Sequence, residues 1–257
     1  MYGTFHASFL GKIKMPNPLL TKSASAGSYA MPLNDTTISK VAVGGVASLD
    51  GVIVKTLMMF GVLLASASFA WIANLSIALA LPAAILATII VWVSTRRGTV
   101  NPALAFIYSG LEGLAVGLIS SLYESTHPGI VKSAVMGTML TAGIMFVIWK
   151  FKFIKVDSLF QRRLYNLIIA YALISFGNIG YSLVTGNGGL FQSKYGWIAC
   201  LVGCALAAFS LISDFQMIED GIKSRLPESA EWNLSLGLMI SIVWLYLEIL
   251  RLLGRKN

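Results

Sequence analysis

Three carboxylates stand where a chain this apolar should hold none. Glu112 is the only charged residue between Gly98 and Tyr123. A carboxylate at the centre of an apolar span costs about 2.5–3.5 kcal/mol on insertion scales, so it normally faces a bundle interior or a water-filled path. Asp214 closes a later apolar run in Ser213-Asp214-Phe215-Gln216, and Glu248 lies in the last one, in Trp244-Leu245-Tyr246-Leu247-Glu248. Acids in such places can pass a proton, meet a cation or hold helices together by hydrogen bonds. Glu112 reads either as a structural glutamate bonded across helices or as a step on an ion or proton path. Asp214 reads as an interfacial carboxylate in water or as part of a site. Glu248, three residues before Arg251, can make an ion pair within its own helix or serve a site. Glu219, Asp220, Glu228 and Glu231 fall between the last two runs and read as solvated.

The elements around these acids follow from composition. The 257 residues are 56% apolar and 12% charged, against about 25% charged in ordinary soluble domains. Apolar runs long enough to cross a hydrocarbon core of about 30 Å are expected near 52–73, 75–95, 102–123, 131–150, 164–185, 195–216 and 233–253. The fold class is therefore an all-α integral membrane protein, a bundle of seven transmembrane helices; the alternation of a β-barrel is absent. Pro82 falls inside the second run and predicts a kink. Pro102 opens the third, where proline is tolerated. Lys55, near the first start, is expected to reach the interface by its long stem. Trp71, Trp92, Trp149, Trp197 and Trp232 fall at run ends as an interfacial belt. Gly110, Gly113 and Gly117 share a stripe beside Glu112 that allows close helix approach.

Residues 1–45, with Pro16, Pro18 and Pro32 among many Ser, Thr and Gly, read as a polar, disordered tail. It lacks the order of a cleaved signal peptide. Residues 46–257 form the membrane domain. Fourteen Lys and Arg fall on the N-terminal side of the predicted spans and five on the other, which places the N-terminus in the cytoplasm. Arg251, Arg255 and Lys256 are the misfit. A re-entrant last hairpin would return them inside, whereas its length favours a full span.

The net charge of +8 sits at run ends rather than in an arginine-rich stripe with aromatics, so nucleic acid is not an expected partner; the lipid bilayer is. P-loop, GxSxG and HExxH motifs are absent, and the chain is not expected to be an enzyme. An intramembrane protease would want paired acids within spans, and Asp214 with Glu248 is the nearest approach. His6 and His127 have no companions for a metal site. Cys200 and Cys204, four apart on one helix face, read as small packing residues. No cofactor is expected.

Glu112-Gly113 in the third span, Asp214-Phe215-Gln216 closing the sixth and Leu245-Tyr246-Leu247-Glu248-Ile249 in the last together resemble the Bax inhibitor-1 family. The resemblance covers about 46–257. In the tail, Asn17-Pro18-Leu19 resembles an element of a bacterial branch, which points to a bacterial inner membrane. The resemblance implies a central last helix and a pH-sensitive calcium leak, with calcium as permeant ion. It implies that two acids, here Asp214 and Glu248, share a proton and gate the path, meeting calcium transiently, and that Arg96 or Arg97 pairs with them. Two departures stand out: the second acid is Glu, and the gap of 34 residues (248 minus 214) exceeds the family's usual spacing. If the last helix enters at Trp232, Glu248 lies about 24 Å along it, out of reach of Asp214. An interfacial first turn, a tilted helix or a hairpin would restore contact. Two other functions remain open. One is a binding protein that modulates a membrane-embedded protease or another membrane partner through its long tail. The other is a proton-coupled carrier of a small solute, weakened by the lack of an internal repeat or paired broken helices.

Overall fold

Lipid offers the backbone no hydrogen bonds, so each crossing segment must satisfy its own, and the apolar runs fold as helices. The computed structural model describes residues 45–97, 100–186 and 189–255. Seven helices are long and apolar enough to cross a membrane. They are α1 (Leu49–Ile72), α2 (Ala80–Arg97), α3 (Pro102–Thr126), α4 (Ile130–Lys150), α5 (Ser158–Thr185), α6 (Gly196–Lys223) and α7 (Ala230–Leu253). The predicted tail, with Asn17-Pro18-Leu19, lies outside the described residues.

Local chemistry sets the helix starts. The Ser48 hydroxyl accepts from the Gly51 N–H at 3.0 Å. Asn101 accepts from Ala103 at 2.9 Å, one residue before Pro102. Asp157 accepts from Phe160 at 2.7 Å. Each satisfies an N–H that the first turn leaves orphaned. At the start of α4 the Glu124 carboxylate does the same, accepting from Gly129 at 2.6 Å and Val131 at 3.0 Å. Gly129 can take its φ of +85° there because it has no Cβ.

Pro82 does not kink a span. A 3-10 turn over Ile77–Leu79 precedes α2, so the proline falls in the first turn of the α-helix, where its missing N–H costs nothing. Two boundaries also differ from the apolar runs. α5 begins at Ser158 and α6 continues to Lys223, because a helix keeps its backbone bonds beyond the hydrocarbon edge whereas the apolar pattern marks only the part in lipid.

α7 is one unbroken helix of 24 residues, which excludes the re-entrant hairpin. It is central: α1, α3, α4 and α6 all pack on it, while α2 lies outside against α3 and α5 outside against α6. The main apolar core gathers Met59 and Leu63 of α1, Ala105 and Val116 of α3, and Leu236, Met239 and Val243 of α7. A second core joins Ala207 and Leu211 of α6 to Leu245 of α7.

Candidate functional site

α6 and α7 are joined by a short turn and run antiparallel, and the surroundings of two glycines show their register. A Cβ on Gly237 of α7 would lie 3.7 Å from Asp214 Oδ1, and a Cβ on Gly203 of α6 would lie 2.7 Å from Glu248 Oε2. Each acid thus faces a glycine on the opposite helix. Asp214 and Gly203 are eleven residues apart on α6, and Glu248 and Gly237 are eleven apart on α7. At 1.5 Å per residue this separates the two carboxylates by about 16 Å along the seam. The structure does not bring Asp214 and Glu248 together, and carboxylates so far apart can share neither a proton nor one metal ion. Among the described residues no group of three His, Cys, Asp or Glu side chains could hold a metal.

Glu248 sits near the far end of α7, 2% exposed. It accepts from the Arg251 guanidinium at 3.1 and 3.2 Å and from the Trp244 indole N–H at 3.2 Å. The pair within one helix is therefore the one that forms. The Tyr171 hydroxyl of α5 converges on the same spot, against Gly203, and Arg251 lies 5.0 Å from the Phe191 ring. Arg96 and Arg97 close α2; their side chains are outside the described ones. The chain just beyond them docks at the opposite end of α7, where the Val100 N–H donates to Asn233 Oδ1 at 2.7 Å. From Asn233 to Glu248 is fifteen residues, about 22 Å of helix.

Asp214 is half-buried in the α6–α7 seam near Gly237 and Ser241. Its Oδ2 is buried without a hydrogen-bond partner, as is the neighbouring Ser213 hydroxyl. The rest of that motif is anchored. Gln216 Oε1 accepts from the Trp149 indole of α4 and from Lys152 just beyond that helix, each at 3.2 Å, and its amide donates to Asp220 at 2.8 Å. Trp149 is therefore an internal anchor as well as a belt residue.

Glu112 lies on α3 between residues that meet α7. Ser109, three residues earlier, reaches the Met239 sulfur at 3.6 Å, and Ser120, eight residues later, bonds the Tyr246 hydroxyl at 2.7 Å. The adjacent Gly113 and Gly117 abut α1 at Leu63 and Ala67. Glu112 itself is half-buried and accepts no hydrogen bond among the described residues, so it does not act as an inter-helix tie.

One site was missed. Glu231, read as solvated, is 1% exposed. It pairs with Lys55 of α1 and accepts from the Ser48 N–H at 2.7 Å and the Ser48 hydroxyl at 3.1 Å. Lys55 does not reach for the interface; Glu228 is 3.6 Å away and the Trp232 ring 5.6 Å. Beside this clasp the chain entering α1 pairs with the α6–α7 turn: Ala47 donates to the Leu226 carbonyl and Glu228 to the Gly45 carbonyl, each at 2.8 Å. The available signal was the placement of Lys55 and Gly51 in the opening turns of a span. Glu219 is likewise tied, to Lys152 and Lys223.

These features define a multi-span helical membrane protein with a central last helix and separated buried or half-buried acids. The chain matches the family model described as Bax inhibitor 1 like over residues 17–256, and it belongs to that family. No curated protein sequence matches it.

Proposed function

We propose that this chain is a pH-sensitive calcium leak of a bacterial inner membrane, with its N-terminus in the cytoplasm, in which Asp214 alone carries the pH response. The carrying observation is the partnerless Oδ2 of Asp214 in the seam between α6 and the central helix. A carboxylate with spare acceptor capacity suits a hard cation that prefers oxygen ligands, and its charge disappears on protonation. Glu112, on α3, is a further polar step. Glu248 is engaged by Arg251 and acts as a fixed tie rather than as a second sensor. The decisive test is calcium flux in proteoliposomes across about pH 5–8. Asp214→Asn is expected to flatten the pH profile, because an amide does not titrate, and Glu248→Gln to leave its shape intact. A profile unchanged in Asp214→Asn would refute the reading.

The pairing of residues 45–48 with the α6–α7 turn favours a second reading, in which a membrane protease or other partner acts on the tail. Force on the tail would be felt first at that turn. Deleting residues 1–44 is expected to leave flux unchanged. Loss of partner capture in that variant would support the second role, and retained capture would refute it.

A further inference from the structure

Five of the twelve cations whose side chains are described are neutralised or bonded internally. Lys55 pairs with Glu231, Lys152 and Lys223 with Glu219, and Arg251 with Glu248, while Arg255 donates to the Ser193 carbonyl at 2.8 Å. Of the other seven, four cluster in the short stretch that leaves α4 and enters α5. Lys150, Lys155, Arg162 and Arg163 are all exposed there and none has an acidic partner among the described residues. The acids at this end are already committed: Glu219 to its two lysines, Asp220 to Gln216, and Asp157 to the cap of α5. Lys132, Lys194 and Arg225 also lack such partners but stand singly elsewhere.

Two aromatic rings complete the stretch. Phe151 is 69% exposed and Phe153 73%, and they lie against each other with centroids 6.1 Å apart. Lys152, between them, has a φ of +54° and turns back over the Trp149 ring at 4.8 Å, leaving both phenyl rings outward. Exposed phenyls flanked by unpaired cations fit the boundary between headgroups and acyl chains, with rings below and charges at phosphate level. A topology signal needs only the charges; the paired rings call for an apolar layer beside them.

We propose that the α4–α5 connector and the first two turns of α5 bind anionic phospholipid headgroups. The stretch joins two span ends, so lipid is its standing neighbour, and four uncompensated positive charges select anionic over zwitterionic headgroups. This holds whatever ion the protein conducts.

The test is lipid titration of the full chain in mild detergent, with phosphatidylglycerol or phosphatidylcholine of the same acyl chains, counting bound lipids by native mass spectrometry. The parent is expected to prefer phosphatidylglycerol. The combined Lys155→Gln, Arg162→Gln and Arg163→Gln variant should lose about tenfold or more of that preference, while Lys132→Gln with Lys194→Gln keeps it. Should the triple variant lose the parent's thermal transition in phosphatidylcholine, salt decides on the parent alone. Raising salt to about 0.5 M should then remove the preference, since exposed charges are screened over a few ångström. No preference in the parent, one that survives the triple substitution in folded protein, or one insensitive to salt would overturn the proposal.

Discussion

Lys55→Met is expected to destabilise the protein by about 3–5 kcal/mol, the usual cost of stripping one partner from a buried pair. Met keeps the length of the stem but leaves the Glu231 carboxylate, 1% exposed, with only the two donors of Ser48. Glu231→Gln should cost less. Its amide oxygen can still accept from Ser48, and Lys55 retains Glu228 at 3.6 Å. The double variant should be more stable than the sum of the single losses predicts, because it removes the uncompensated charge along with its partner. A double-mutant cycle by unfolding in mixed micelles checks this. A coupling near zero would mean that the clasp between α1 and the central helix carries no net energy. Gly51 belongs to the same clasp, since a Cβ there would run into the Glu231 carboxylate.

How much of this was legible depends on what each residue's surroundings reveal in one dimension. The seven spans were, because hydrocarbon thickness imposes a length that few other structures need. The Glu248–Arg251 pair was too, because spacing by three fixes its geometry within a single helix. The Lys55–Glu231 clasp was hidden. A charge at the edge of an apolar run looks the same in sequence whether it faces water or a lysine 176 residues away. The distance between Asp214 and Glu248 needed the antiparallel register of α6 on α7, which no one-dimensional pattern gives. The central position of α7 came from resemblance; its own apolar residues cover too much of the helix to single out one neighbour. The cations of the α4–α5 connector were visible as topology signals, but that four of them cluster without an acidic partner among the described residues emerged only once the ion pairs were in place.

The three glycines around Glu112 look alike in sequence, and the structure separates them. A Cβ on Gly113 would stand 2.9 Å from the Leu63 Cα, and one on Gly117 2.5 Å from the Ala67 carbonyl oxygen, whereas around Gly110 the space is open. The obstacles at 113 and 117 are backbone, which no rotamer change removes, so a substitution must push α3 off α1. Gly113→Ala is expected to cost about 2–3 kcal/mol, in the upper range for overpacking, and Gly113→Leu to prevent folding. Gly110→Ala should be neutral or stabilising by up to about 1 kcal/mol, since alanine loses less backbone entropy in a helix. Thermal unfolding of the variants in one detergent checks the order, and equal losses at 110 and 113 would mean that close approach to α1 is not what the stripe provides. The contrast also bears on the ion path proposed above. Glu112 is bonded to Gly113, so displacing α3 from α1 shifts Glu112 against α7. Flux should therefore change in folded Gly113→Ala and stay at the parent level in Gly110→Ala, which would tie the polar step at Glu112 to its placement rather than to its charge alone.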